Sequence, residues 1–301
     1  VKDGFRSGFV CLVGRPNTGK STLTNALVGG KVAITSNRPQ TTRHTIRGIV
    51  HRPQFQIVLV DTPGLHRPRT LLGKRLNDLV RDTYTDVDVV GLCIPADEPV
   101  GPGDRWIYDQ IRAVAPNTTL VVVVTKIDKV AKDAVAAQLV AVSDLVGDNA
   151  AAIVPVSATT GEHLDVLTGV LVEHLQPGPA YYPDGELTDE PEEVLMAEFI
   201  REAALEGVRE ELPHSLAVVI DEMGPREGRD DLIDVHAIIY VERDSQKGIV
   251  IGRGGARLKE VGSNARRQIE RLLGTKVYLV LRVKVAKNWQ QDPKQLSRLG
   301  F

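Results

Sequence analysis

The stretch Gly14-Arg15-Pro16-Asn17-Thr18-Gly19-Lys20-Ser21 decides the fold. It satisfies GxxxxGK[ST] at every fixed position, and it lies between an apolar run at residues 9–13 and a helix-forming stretch at residues 21–27. Strand, glycine loop and helix in that order predict an anion cradle. Backbone N–H groups converge on phosphate oxygens at a helix N-terminus, Lys20 supplies a point charge for the β and γ phosphates, and the Ser21 hydroxyl suits Mg²⁺. Thr22, the next residue, completes the expected nucleotide-binding set of the loop.

Working outward, buried-strand candidates at residues 57–60, 87–94, 120–124 and 153–156 alternate with helix-length stretches at 71–84, 104–114 and 132–145. That alternation predicts an α/β fold, a doubly wound and mostly parallel sheet whose ligands bind at the carboxyl ends of the strands. The chain of 301 residues, 42% hydrophobic and 25% charged, has material for two domains. Its longest apolar runs, such as residues 120–124, are far below the roughly 18 residues of a membrane span, and no charged-then-apolar leader is read at its start. The expectation is a cytoplasmic protein with Cys11 and Cys93 as buried, reduced thiols.

Charge is distributed unevenly. Residues 247–301 carry 13 Lys and Arg against 3 acids, a net +10, which leaves −12 for the rest of a chain whose total is −2. A basic end on an acidic body is an electrostatic footprint for a polyanion. Between Asp3 and Asp61 there is no carboxylate, while eight Lys and Arg fall in the gap, so a triphosphate meets no like charge there. Residues 176–193 hold four prolines, six acids and no base, which reads as a linker. The expected division is therefore a nucleotide domain over 1–175, a linker over 176–193 and a smaller α+β domain over 194–301. In the last, a helix (194–205), two strands (215–221, 232–242), a glycine loop at Gly252, a long helix (256–273) and a strand (276–285) follow in order.

The base is read from residues distant in sequence. Thr125-Lys126-Ile127-Asp128 follows the 120–124 strand, and a carboxylate at Asp128 accepts from both N1–H and N2–H₂ of guanine, a donor pair that adenine lacks. Ser157-Ala158, after the 153–156 strand, would add a main-chain N–H.

In order and spacing these elements resemble the translation-factor-related GTPases. The phosphate loop is Gly14 to Ser21, the first switch is Gln40-Thr41-Thr42-Arg43-His44, and the third element is Asp61-Thr62-Pro63-Gly64, followed by Leu65 and His66. The resemblance implies that Thr42, or its neighbour Thr41, reaches Mg²⁺ and the γ phosphate in the GTP state; Thr42 is favoured because it precedes the arginine. It also implies that Asp61 holds a Mg²⁺ water and that the Gly64 N–H senses the γ phosphate. Ser21, Thr42 and Asp61 are thus the expected metal set, and Lys20, Thr42, Gly64 and Asn17 the expected catalytic set. Two residues depart from the pattern. Thr125 stands where Asn is usual, so weaker bracing of the phosphate loop is expected, and Leu65 replaces the water-orienting Gln of Ras-like enzymes. Asn17 matches the position that helps hold K⁺ in potassium-dependent relatives, and equally shapes a turn.

Ile249-Val250-Ile251-Gly252-Arg253-Gly254-Gly255-Ala256-Arg257-Leu258 holds an apolar stretch, a GxxG loop and a helix start, set among strands in the basic region. It resembles a type II KH domain, in which the loop backbone approaches single-stranded RNA phosphates and an apolar groove takes the bases. The resemblance implies a clamp from Gly252, Arg253, Gly254 and Gly255, a groove lined by Ile249 and Ile251, and phosphate contacts from Arg257, Lys259 and Arg266. Trp289 would stack on a base or anchor Phe301. The histidines, among them His44, His66, His163, His214 and His236, show no ligand spacing.

A P-loop GTPase domain joined to this KH domain resembles the Era family of ribosome-assembly GTPases. What that implies is hydrolysis of GTP, with Mg²⁺ and a candidate K⁺, coupled to binding the 3′ end of 16S ribosomal RNA on the small subunit. It also implies a monomer with a peripheral inner-membrane fraction. The rival expectations are a GTP-regulated RNA adaptor with negligible turnover, which Leu65 permits, and a tRNA-modification GTPase, whose additional catalytic apparatus the sequence does not display.

Overall fold

The computed structural model describes residues 4–35, 41–43, 45–65, 70–206 and 215–301, without the side chain of Asp230. Gln40, His44, His66 and His214 lie outside the described residues. The chain divides into two compact units. The first runs to Ala33, resumes at Thr42, and extends from Gly73 to Asp189; the second holds Ile34, Thr35, Thr41, Thr70 to Leu72 and the chain from Glu190 on.

The first unit is built on a sheet in the order β2-β3-β1-β4-β5-β6. Its strands are β1 (Arg6–Val13), β2 (Ile46–Arg52), β3 (Phe55–Asp61), β4 (Val89–Pro95), β5 (Thr119–Thr125) and β6 (Ala152–Pro155). All pairs are parallel except β2 with β3. Every residue of β4 and all but the first of β5 are buried, as expected of central strands covered on both faces. The covering helices are α1 (Lys20–Val28), α2 (Leu71–Thr83), α3 (Pro102–Val114), α4 (Lys132–Val146) and α5 (Leu164–Glu173). Pro102 opens α3, and the Asp104 carboxylate accepts from the Gly101 N–H at 2.9 Å, a cap that fixes its start. Cys11 and Cys93 are free and buried, and burial holds both thiols protonated, Cys93 pushed up to about 12.

The stretch read as a linker is bonded along this unit up to Asp189. A short strand, β7 (Gln176–Pro177), pairs antiparallel with β1. Gln56 accepts from the Tyr181 and Tyr182 N–H groups at 2.7 and 3.0 Å and donates to the Tyr182 carbonyl. Ile49 donates to the Leu187 carbonyl at 2.8 Å, so the exposed side of edge strand β2 gains a partner.

The second unit runs α6 (Glu192–Leu205), β8 (Ala217–Arg226), β9 (Arg229–Val241), α7 (Asp244–Ile251), α8 (Ala256–Leu273), β10 (Lys276–Val285) and α9 (Pro293–Arg298). Its sheet has the order β10-β9-β8, with β10 parallel and β8 antiparallel to β9. Helix α8 buries Val261, Ala265 and Ile269, one stripe at four-residue spacing, against Leu195, Met196 and Phe199 of α6. Trp289 is buried, donates to the Ser215 carbonyl at 3.0 Å and stacks on Phe301 at 5.6 Å, so it anchors the C-terminal segment.

Candidate functional site

The phosphate loop leaves β1 at Gly14, where a Cβ would come within 2.6 Å of the Cys93 carbonyl oxygen on β4; only glycine permits that approach. Asn17 and Gly19 both adopt the left-handed region, at φ 64° and 91°, which curls the backbone into a nest of N–H groups. Lys20 is buried and donates to the Gly14 and Arg15 carbonyls at 3.2 and 2.8 Å, and burial lowers its pKa. Arg15 is turned outward from the loop, its guanidinium held by Asp104 at 2.8 Å and Glu98 at 3.0 Å. Its charge is already matched by those two carboxylates.

Opposite the loop, three side chains converge. The Ser21 hydroxyl donates to Asp61 Oδ2 at 2.6 Å, and Thr42 Oγ1 lies 2.9 Å from Ser21 Oγ. Asp61 is fully buried, its second oxygen Oδ1 has no hydrogen-bond partner, and burial pushes its carboxyl up to about 6. Thr62 donates to the Leu12 carbonyl at 2.7 Å. Pro63 is buried, and Gly64 packs so close to Pro16 that a Cβ would lie 2.8 Å from its backbone. Leu65 is 1% exposed, inside the apolar cluster with Val13 and Ile94.

Thr125, at the end of β5, donates to the Thr18 carbonyl at 2.6 Å in a buried setting. β5 and the loop approach closely enough for this shorter side chain to brace the loop through one hydroxyl hydrogen bond. Asp128 is exposed, and its Oδ1 accepts from Ser157 Oγ at 2.7 Å. The Ser157 N–H donates to the Glu162 carbonyl, so the expected main-chain donor to the base falls to Ala158. Lys126 spans 3.5 Å to Asp97.

In the second unit the apolar stretch before Gly252 is a helix, α7, which the sequence reading missed. Asp244 in its first turn and Gly252 just past its end are the signals that could have found it. Gln246 caps it by accepting from the Glu242 and Arg243 N–H groups at 2.9 and 3.1 Å. The loop then turns through positive φ at Gly252, Gly254 and Gly255. Ile249 is 57% exposed beside it, whereas Ile251 packs partly into the core. Arg253 and Lys259 are exposed. Arg257 is tied to Glu260 at 3.0 Å and donates to the Glu206 carbonyl, and Arg266 lies 4.0 Å from Glu270. The sequence reading also passed over Glu198, Arg201 and Glu202 on α6, buried charges at helical spacing in an otherwise apolar stretch. Among the described residues there is no His, Cys, Asp or Glu cluster able to hold a metal by itself.

The family of 50S ribosome-binding GTPases matches residues 9–126, and the KH domain family matches residues 211–290. GTPase Era of Mycolicibacterium smegmatis is 83% identical over 297 residues, covering 99% of each chain. GTPase Era of Mycobacterium tuberculosis is 80% identical over 298 residues with the same coverage. A crystal structure of Era in complex with MgGDPNP and nucleotides 1506–1542 of 16S ribosomal RNA matches at a TM-score of 0.94 and 36% identity, over 98% of this chain and 99% of that one. A variant of Aquifex aeolicus Era bound to GDP.AlF4- matches with the same values. With a phosphate loop, a guanine element and a GxxG loop all in place and near-complete coverage by these relatives, the chain belongs to the Era family of GTPases.

Proposed function

We propose that this chain is a GTP-hydrolysing switch that binds the 3′ end of 16S ribosomal RNA during assembly of the small ribosomal subunit. The observation that carries the reading is the convergence of Ser21, Thr42 and Asp61 with Asp61 Oδ1 unpartnered in a fully buried site. Hard oxygen donors around an orphan carboxylate oxygen fit Mg²⁺, which Ser21, Thr42 and Asp61 would hold. Bound with the nucleotide, Mg²⁺ neutralises charge on the phosphate oxygens.

The chain's own residues then divide the work. Lys20, already inside the loop, exchanges its carbonyl partners for phosphate oxygens, and the loop N–H groups of residues 17–21 close around them. Asp128, oriented by Ser157, selects guanine, and the Gly64 N–H senses the γ phosphate next to Pro16. Leu65 is locked in the core and orients no water. Water and leaving-group charge are therefore managed elsewhere, and we assign Asn17, exposed at the left-handed corner of the loop, to a K⁺ held against the phosphates. On the second unit, the glycine loop and Ile249 receive the RNA, with Arg253 and Lys259 as the phosphate contacts, assisted by Arg257 and Arg266.

Turnover of GTP by the full chain with Mg²⁺, in K⁺ and in Na⁺, with and without RNA of nucleotides 1506–1542, tests the reading. Turnover above background and faster in K⁺ is expected. No turnover in either salt, with or without RNA, overturns the enzyme and leaves the adaptor, which the buried Leu65 by itself would favour. Equal rates in the two salts overturn the role of Asn17. Among the described residues no helix is long and apolar enough to cross a membrane. A cytoplasmic monomer with a peripheral inner-membrane fraction is proposed from the family resemblance, and fractionation and sedimentation read it.

A further inference from the structure

The two halves of the phosphate loop are fixed by different neighbours. In the second half, the Thr18 carbonyl accepts from Thr125, and Lys20 and Ser21 open α1. The first half meets the third GTPase element: the Leu65 N–H donates to the Gly14 carbonyl at 3.1 Å, and Gly64 packs on Pro16. A side chain aimed away from the nucleotide ties this half to the start of α3. Arg15 donates through Nε to Asp104 Oδ1 at 2.8 Å and through Nη1 to Glu98 Oε2 at 3.0 Å.

Both partners are shaped for the contact. A Cβ at Gly103 would come within 2.6 Å of Arg15 Cδ, so the arginine stem lies where glycine alone leaves room. A cation at a helix N-terminus meets the positive end of the helix dipole, and Asp104, fully buried in the first turn of α3, reverses that sign. Its two oxygens act separately: Oδ2 accepts from the Gly101 N–H that starts the helix, and Oδ1 accepts from Arg15. Glu98 is half exposed, so its pair with Arg15 contributes less. The turn that carries these carboxylates is itself held. Gln138 donates to the Pro95 and Glu98 carbonyls, and the Ala96 N–H donates to the Thr125 carbonyl.

We infer that Arg15 and Asp104 are positioning residues for the γ-phosphate step. They clamp the first half of the loop to α3, so that Pro16 keeps its place against Gly64, and Asn17 its left-handed corner, when Lys20 leaves the Gly14 and Arg15 carbonyls for phosphate oxygens. The inference rests on the proposed GTP site and adds a residue pair to it. The second half of the loop, which the clamp does not hold, carries the N–H groups nearest Lys20. GDP binding is therefore indifferent to the clamp, and turnover is sensitive to it.

The test measures kcat at saturating GTP with Mg²⁺ and K⁺, GDP affinity and Tm on the full chain. Arg15→Ala should lower kcat about tenfold and leave GDP affinity within about twofold of wild type. It also strands the buried Asp104 carboxylate, so Tm should drop. Adding Asp104→Asn removes the stranded charge, and the new amide oxygen still accepts from the Gly101 N–H. Tm of the double variant should therefore return toward wild type while kcat stays low. A merely structural clamp predicts that kcat recovers together with Tm, and that result overturns the inference. An unchanged kcat in Arg15→Ala, or a GDP affinity that falls in step with kcat, overturns it too. Should Arg15→Ala fail to fold, the double variant, free of the stranded charge, decides. In each of these outcomes the wild-type chain turns over GTP and the proposed function stands. A wild-type chain without turnover overturns both.

Discussion

At the nucleotide site the decisive oxygens are buried and already bonded to one another, whereas the glycine loop at residues 252–255 leaves Arg253 exposed and Ile249 more than half so. The contrast follows from the ligands. A triphosphate and its cation are compact and highly charged, and a pre-arranged, water-poor cradle acts on them most strongly. An RNA strand arrives extended and solvated, so its site needs access and a backbone slim enough to approach. The first site therefore stores polar groups that stay under-satisfied until the ligand comes, Asp61 Oδ1 above all. The second keeps its polar groups in solvent.

That difference is sharpened most by Asp128→Asn. The exposed carboxylate loses its match to the two guanine donors, and GTP affinity should fall about a thousandfold with a gain toward xanthine nucleotides. RNA affinity of the nucleotide-free chain should not change. Competition binding with GTP and xanthosine triphosphate reads both, and unchanged GTP affinity refutes the base assignment.

Gly254→Asp comes next. Gly254 sits at φ 59°, a conformation that aspartate tolerates better than most residues, and nothing lies within 4 Å of the added Cβ, so the loop should survive. A carboxylate facing phosphates should weaken RNA about a hundredfold while GTP affinity stays as it was. Intact RNA affinity at fixed salt removes the loop from the RNA site.

The smallest effect separates the sites by pH. The folded Asp61 carboxyl keeps its proton up to about 6, against 3.8 for the unreacted group. The cation-free protein therefore loses stability through this group as pH rises from about 3.8 to about 6. Mg²⁺ must displace that proton, so Mg²⁺-dependent nucleotide affinity should be flat above pH 6 and fall about tenfold per unit below it. Asp61→Asn should abolish the slope in a titration of nucleotide binding against pH, and a slope that persists refutes the assignment.

Strands with continuous apolar runs were legible because both of their faces are buried: the sequence places β5 at 120–124 and it spans Thr119–Thr125. Helix α8 matched its expected bounds because its apolar stripe repeats at a helical period. Strand β2, Ile-Arg-Gly-Ile-Val-His-Arg, was missed since an edge strand mixes polar and apolar residues and carries glycine. The acidic stretch at 176–193 reads as linker by composition, yet within it the backbone pairs with β1 at residues 176–177 and bonds to β2 at Leu187, a feature that composition does not encode.

Motifs whose function depends on covalent spacing were determined by the sequence alone: the phosphate loop, the guanine element and the GxxG loop each place their groups through a few consecutive bonds. Tertiary structure alone decided what those groups face. It turned Arg15 onto Asp104, brought Thr125 within 2.6 Å of Thr18, left Asp61 Oδ1 without a partner, and put Thr35 and Gln268 on the two oxygens of Glu202. The reason is physical: a buried charge is tolerated only through partners supplied by packing, and those partners lie 66 to 167 residues away along the chain at Glu202.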